Sequence, residues 1–490
     1  MSKPKLLLDA FRIFAALVGM VLLTYVVIKS NGSSFTHDES FSYQHYMDDS
    51  FMELISYADA YTNNHILNSI GMKYSEMLFG SSELALRLPN VLALLIYLIF
   101  GYLLVRSLHP LLACAAFLLL VTNLQLVDLF GLARGYGLSF GFMLMSLYYY
   151  LQYRRSRRLS HLFIFHFTAL LATLSNFTLL TYYVAVLMVH TVLMFAFPAE
   201  GVSRRASLWS EIKPQLVPFL ISVIVLYEPI RRLVTYNDLD FGGKAGFFKD
   251  TIGSLVISSF PAIPFTAAMM ILVQVVVVSV VLISSAMLVK KYLQQRGMFL
   301  QGSERLVVLN VLILSISCIV VVQHLVLGSD YPVSRFAAYL YPLYILHLAF
   351  FSNYFLKSKL RRRVLISMTT LSVLALFSFV RHADLAKSGE WGYDSQTKAM
   401  MKFLEDDRSR YFPDRTQLVL DVNWLFEPTS NYYRVTSGLN WLAPIERENT
   451  DVPAEYLYLF RDEVSDQVDD YDTIKEFLDT GTVLLRKRAR

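Results

Sequence analysis

Two adjacent acids, Asp38 and Glu39, follow directly on the first long apolar run of the 490-residue chain. Charge is expensive to hold beside a bilayer, so acids kept there usually have a task. Adjacent carboxylates can do acid–base chemistry, and they can also start a helix. Thr36-His37-Asp38-Glu39 fits a capping box, with Thr36 and Glu39 satisfying the first backbone amides and Asp38 suited to the first turn. The two readings are compatible, because a capped helix start would also hold the Asp38 carboxylate still.

Against these acids stand cations of the kind that bind anions. Arg134, within Asp128–Tyr136, and Arg335, at the end of Asp330–Arg335, carry planar guanidinium forks that match a carboxylate or a phosphate. The structural alternatives are a salt bridge from Arg134 to Asp128 or Asp38, and one from Arg335 to Asp330. The 230–264 segment offers Arg231, Arg232, Lys244 and Lys249 among Gly242, Gly243 and Gly246. It reads either as a mobile lid with phosphate-binding cations or as a plain flexible loop. Asn63-Asn64-His65 interrupts the first polar loop and makes His65 a site candidate, although a lone histidine more often packs or sits on a surface. Arg87 opens an apolar run, where snorkelling to the interface is the default reading.

The elements that must position these groups are membrane spans. The chain is 55% hydrophobic and 17% charged, with a mean hydropathy of +0.45. A soluble domain carries about a quarter charged residues. The 35 Phe and 30 Tyr suit helix ends that meet two lipid interfaces. Apolar runs near the roughly 20 residues a crossing needs fall at 10–29, 86–106, 110–129, 135–153, 161–177, 178–198, 214–230, 265–289, 306–327, 334–356 and 362–380, which predicts about eleven helices. The division at 177 rests on Ser175-Asn176 alone. The first run reads as an uncleaved helix, since no small-residue cleavage site follows it. Cys114 and Cys318 lie in separate apolar runs and suggest neither a disulfide nor a metal site. No P-loop, dinucleotide fingerprint or His-Glu-x-x-His occurs, so the sequence predicts no soluble nucleotide-binding domain and no nucleic-acid partner.

Loop charge orients the spans. With the N-terminus cytoplasmic, the inside loops hold Arg154, Arg155, Arg157 and Arg158; Arg204, Arg205 and Lys213; Lys290, Lys291, Arg296 and Arg305; and Lys357, Lys359, Arg361, Arg362 and Arg363. This obeys the positive-inside rule, and an odd span count puts the C-terminus outside. The outside then holds loop 30–85 with amphipathic helices along the membrane surface, loop 230–264, a short loop at 328–335, and a tail from 381. The tail is large enough for one small α/β domain. It has helical patterns at 397–406 and 471–478 and strand-like runs at 417–421, 456–460 and 482–486. The fold class expected is an α-helical polytopic membrane protein, with a core over 1–380 and an outer-face α/β domain over 381–490.

The acidic pair after the first helix, the Asn63-Asn64-His65 that follows, and Phe79-Gly80-Ser81-Ser82-Glu83-Leu84-Ala85-Leu86-Arg87-Leu88-Pro89 together resemble the GT-C membrane glycosyltransferases. The nearest branches are the protein O-mannosyltransferases and the bacterial aminoarabinose–lipid A transferases. Ala133-Arg134-Gly135-Tyr136, and Arg335 followed by Tyr341-Pro342, are similar to that family as well. The likeness covers residues 10–360. It departs at Ile66-Leu67, where many relatives have prolines, and at Asn176, where a histidine is common.

The resemblance implies a polyprenyl-phosphate-linked sugar as donor, used at the outer face of a bacterial inner membrane, with a lipid, glycan or protein hydroxyl as acceptor and membrane lipids as further partners. Asp38 would be the base, and Glu39 its support or an acceptor contact. Arg134 and Arg335, assisted by Arg231 and Lys244, would hold the donor phosphate. His65, Asn64, Tyr136 and Arg87 would line the substrate site. No cofactor is required; a divalent metal, if held, would sit on Asp38 and His65. Direct displacement would invert the anomeric centre. Two other classes stay open: a transporter or flippase for a lipid-linked sugar, which should carry ionisable or broken-helix features near the midplane and an internal repeat, neither of which the sequence shows, and a non-catalytic envelope assembly protein.

Overall fold

The computed structural model describes residues 3–59, 61–197, 204–235, 242–261, 263–294, 302–447, 454–464 and 470–488. Arg296 and residues 236–241 of the glycine-containing loop lie outside the described residues, as do the side chains of Arg204 and Arg205.

Helix α1 (Lys3–Gly32) leads into a polar loop built from α2 (His37–Tyr46), α3 (Phe51–Ser56) and α4 (Ile66–Phe79). The bundle continues with α5 (Glu83–Val105), α6 (Pro110–Val121), α7 (Leu124–Phe130), α8 (Tyr136–Ser156), α9 (Leu159–Ser175), α10 (Leu180–Ala196) and α11 (Arg204–Thr235). After a short α12 (Gly253–Ser259) come α13 (Ala267–Gln294), α14 (Glu304–Leu327), α15 (Leu340–Tyr354) and α16 (Arg361–His382). The expected apolar runs fall largely on helices, but fewer than the eleven expected qualify as spans: 110–129 is broken into two helices, and those over 135–153, 161–177 and 334–356 are too short or too polar along their length. Seven helices among the described residues are long and apolar enough to cross a membrane. The pair α6–α7, bent by 63°, is either a broken eighth span or a re-entrant loop. The chain is a multi-pass membrane protein. The break at Ser175-Asn176 is real: the Asn176 side chain accepts the Thr178 amide at 2.9 Å and starts a new turn.

Local chemistry explains the 63° bend. Asn123 accepts the Leu126 amide at 2.9 Å and so begins α7 afresh. Carbonyls left over at the end of α6 need other donors. The Tyr341 hydroxyl meets Leu119 O at 2.6 Å, and that of Tyr97 meets Leu120 O at 2.8 Å. Ionisable groups also pair where helix ends meet at the face opposite Asp38. Arg154 pairs with Glu304 at 3.1 Å, and Glu211 lies 3.6 Å from Arg157 and 3.7 Å from His190.

Beyond α16 the chain forms α17 (Thr397–Tyr411), α18 (Glu427–Thr436) and a sheet of β1 (Leu420–Val422), β2 (Tyr456–Phe460), β3 (Tyr471–Phe477) and β4 (Thr482–Lys487), in the order β1-β2-β4-β3. The pair β1–β2 is parallel and the other two are antiparallel. Residues 471–478, expected as helix, are strand β3. Tyr471, Ile474 and Phe477 mimic a helical spacing because a register shift between Thr473 and Lys475 disturbs the two-residue alternation.

The tail and the first polar loop share one hydrophobic core. Phe35, Tyr46, Leu54, Met72 and Leu86 cluster with Met400, Leu404, Phe426, Tyr432 and Tyr458. Phe35 stacks on Tyr432 with ring centroids 4.3 Å apart, a contact of the kind that adds about 0.5–1.5 kcal/mol beyond burial. Position 381 thus ends the last span without ending the packing.

Candidate active site

The site begins with the start of α2. Thr36 is the N-cap, and Glu39 completes the capping box: its Oε2 accepts the Thr36 amide at 3.0 Å and the Thr36 hydroxyl at 2.9 Å. Two groups from the tail fix the same turn. Asp394 Oδ2 accepts the His37 amide at 2.6 Å, and His37 Nδ1 lies 2.8 Å from Leu425 O. Asp38 therefore projects from a turn held on both sides. Its side chain keeps 16% exposure.

Glu39 and Asp38 have different fates. Glu39 and Arg87 are both wholly buried and paired bidentately, Nε–Oε1 at 2.8 Å and Nη2–Oε2 at 2.7 Å. Oε1 also accepts the Ala133 amide at 2.6 Å. Arg87 spends its other donors on the carbonyls of Ser30, Ser33 and Ser34. Both side chains are fully engaged inside the protein, which fits Glu39 as support for the turn rather than as an acceptor contact, and does not fit Arg87 as a substrate-lining residue or a snorkelling cation. The pair locks α1, α2, α5 and the segment before Arg134 together.

Two guanidinium groups face Asp38. Arg134 Nη2 lies 3.3 Å from Asp38 Oδ2, and Arg335 Nη2 lies 3.7 Å from the same oxygen. Arg134 also donates to Ser42 Oγ and to Asn63 Oδ1, each at 3.1 Å. Gly135 makes this aim possible. Its φ is +70°, and a Cβ there would lie 2.0 Å from the Ser175 carbonyl oxygen. Asp128 is not the partner of Arg134; it binds Lys29 Nζ at 2.7 Å. Asp330 is not the partner of Arg335, whose other contact is Glu390 in the tail. Ser334, just before it, sits at φ +46°, a conformation that costs a serine about 1–3 kcal/mol and persists only where surroundings enforce it.

Unsatisfied buried atoms gather here. Both ring nitrogens of His65, Nε of Arg134 and Nε of Arg335 are buried without a hydrogen-bond partner. Such groups call for water or a ligand. His65 packs edge-on against Tyr136, with centroids 5.8 Å apart. Burial, with Arg134 and Arg335 adding to it, pushes the His65 imidazole well below its usual range, so it is neutral.

The other expected residues lie elsewhere. Asn64 is spent on Leu54 O at 3.1 Å and Ser69 Oγ at 3.1 Å, so its neighbour Asn63 is the one that meets Arg134. Arg231 is committed to Glu228, at 2.6 and 2.8 Å, one turn away on α11. Lys244 is exposed and makes no ion pair with the Asp38 cluster. The described part of its loop is anchored: Gly243 and Tyr331 exchange backbone hydrogen bonds at 2.9 Å, and Asn123 reaches Ser259 at 3.3 Å. A metal on Asp38 and His65 does not fit, because Asp38 faces two guanidinium cations and no three potential ligands converge among the described residues.

Three solved structures are similar to the chain along nearly its whole length. ArnT from Cupriavidus metallidurans bound to undecaprenyl phosphate is 13% identical, with 98% of each chain covered and a TM-score of 0.48. The same protein in its apo state is 12% identical over 97% of this chain and 98% of that one, with a TM-score of 0.46. The arabinofuranosyltransferase AftD from Mycobacteria is 12% identical over 98% of this chain and 40% of its own, with a TM-score of 0.46. No family model and no curated protein matches the sequence. The site stands on its own geometry.

That geometry includes groups the sequence hardly marked. Glu390, Trp391 and Asp394 come from the tail turn Gly389–Gln396, whose only sequence signal is Gly-Glu-Trp-Gly-Tyr-Asp soon after the last span. Trp391 covers the Arg335 guanidinium at 4.6 Å, and Phe336 lies 5.0 Å from it. A cavity of about 270 Å³, lined by Phe177, Leu226, Val320, Phe336 and Tyr339 among others, opens beside the residue that follows Arg335. A larger cavity, about 660 Å³, lies away from Asp38, between Glu83 and Lys398 of the tail.

Proposed function

We propose that the chain is an inverting glycosyltransferase that moves a sugar from a polyprenyl-phosphate donor to a hydroxyl acceptor on a lipid, glycan or protein. The observation that carries this reading is Asp38 held between Arg134 and Arg335, at 3.3 and 3.7 Å, at one end of a membrane bundle. The positive-inside pattern of the loop charges supports reading that end as the outer face, with the N-terminus cytoplasmic, and the resemblance to GT-C enzymes supports a bacterial inner membrane.

The chemistry follows from the parts. The two arginines match the oxygens of a phosphodiester, and engaging it loosens their hold on Asp38 Oδ2. The freed carboxylate takes the proton of the acceptor hydroxyl. The acceptor oxygen bonds to the anomeric carbon from the face opposite the phosphate, and the bond from that carbon to the phosphate oxygen breaks. Its electron pair stays on the phosphate, which gains one negative charge in a water-poor setting where fixed cations count most. One carboxylate suffices, because the leaving group needs charge stabilisation rather than a proton. Neutral His65 lines the site without competing for that charge. The apolar cavity beside Phe336 suits the first part of the lipid chain.

The test is sugar transfer from a polyprenyl-phosphate donor by reconstituted Asp38→Asn protein. A loss of about 10²–10⁴ in turnover, with the fold intact, is expected. Wild-type turnover would remove Asp38 from the mechanism. A lipid-linked sugar transporter is the second reading, favoured by the bent α6–α7 pair, a broken-helix feature of the kind that class calls for. Donor movement across vesicles without product formation would select it.

A further inference from the structure

Arg335 is occupied by the protein itself. Glu390 accepts from both the Ser334 hydroxyl and Arg335 Nη1, while Asp38 lies 3.7 Å from Nη2. Trp391 and Phe336 rings lie against the guanidinium at 4.6 and 5.0 Å. An incoming anion must therefore approach along the edge of the fork, and that edge is where Glu390 sits.

Charge makes the same point. Two arginines face two carboxylates, Asp38 and Glu390, so these four charges balance one another. A phosphodiester entering with both acids in place would leave the cluster net negative among poorly hydrated groups, where like charges repel strongly. Asp38 is held by a capped turn and has 16% side-chain exposure, whereas Glu390 has 39% and follows Gly389 at φ +44°. Of the two, Glu390 is free to leave. Its neighbours stay: Trp391 and Asp394 are buried. The strained Ser334 is also held through Gln125 at 2.6 Å, so the loop that carries Arg335 keeps an anchor when Glu390 departs.

We propose that Glu390 is a built-in stand-in for the donor phosphate. It holds Arg335 while the site is empty, yields it to the lipid phosphate, and takes it back as the product lipid phosphate leaves. This inference rests on the glycosyltransferase reading. It gives the tail a part in donor exchange.

The experiment uses the full-length protein in lipid nanodiscs with undecaprenyl phosphate as the probe, comparing wild type, Glu390→Gln and Arg335→Gln. Glu390→Gln should bind the probe about three- to tenfold more tightly, since a neutral amide competes less for the guanidinium. In turnover its donor KM should fall, and product inhibition should strengthen, so that kcat falls with it. Equal or weaker probe binding by Glu390→Gln, with Arg335→Gln still impaired, would overturn the stand-in role alone. Equal binding by wild type and Arg335→Gln would overturn the donor-phosphate reading itself.

Discussion

Glu39 and Arg87 form a bidentate ion pair with no exposed surface on either side chain, at 2.7 and 2.8 Å. It joins the end of α1, the start of α2, the first turns of α5 and the Ala133 amide. The carboxylate that reacts in the proposed mechanism is its neighbour, Asp38. Glu39 builds the turn from which Asp38 projects.

Removing either half of this pair strands a buried charge. Arg87→Ala and Glu39→Ala should each cost about 3–5 kcal/mol. The double variant should lose less than the sum of the two, because no lone charge remains. Thermal unfolding of detergent-purified protein measures both, and strict additivity would contradict the pairing.

Gly135→Ala should act through Arg134. Position 135 has φ +70°, and the added methyl would meet the Ser175 carbonyl oxygen at 2.0 Å, so the chain must shift. Stability should fall by at least about 2 kcal/mol. Transfer activity should fall further than Asn64→Ala lowers it, since Asn64 points away from Asp38. Comparing turnover and unfolding midpoints for the two variants checks this.

His65 gives the stability a pH dependence with a definite sign. The folded protein keeps this imidazole neutral, while the unfolded chain takes up a proton below about pH 6.5. The unfolded state therefore binds more protons as pH falls from 6.5 towards the lowered folded value, and stability is lost there at about 1.4 kcal/mol per pH unit. Above pH 6.5 the group contributes no slope. His65→Gln removes this contribution. The drop in unfolding midpoint between pH 7.5 and pH 5 should be smaller in the variant than in the wild type, and an equal drop would contradict it.

Much of the bundle was legible in the sequence because apolar length is a one-dimensional signal. Most expected runs became single helices, and Ser175-Asn176 sufficed to mark a break, whereas the break at Thr122-Asn123 within 110–129 went unread. The capping box at Thr36 and Glu39 could also be read, since its partners are three residues apart. Partner choice was not legible. Arg87 lies 48 residues from Glu39, and Arg134 prefers Asp38 to the nearer Asp128 because Lys29 already holds the latter. Asn63 and Asn64 are chemically alike, and only the turn before α4 decides which one meets Arg134. Arg231 could have been set aside earlier, as Glu228 precedes it by one helical turn. Glu390 and Trp391 carried only the faint signal of Gly-Glu-Trp-Gly-Tyr-Asp, because their approach to Arg335 depends on the whole tail.

The hydrogen bond from the Phe35 amide to the Tyr433 hydroxyl, at 2.8 Å, spans 398 residues of chain. During synthesis the Asp38 turn emerges long before the groups that close over it. At about 5–20 residues per second, the wait is roughly 20–80 s. Through that interval Phe35, Tyr46 and Met72 lack their tail partners and present apolar surface beside a nascent membrane bundle. Biogenesis of this protein therefore has a late closing step, and truncations that remove residues 426–433 should be cleared by quality control rather than persist as folded protein.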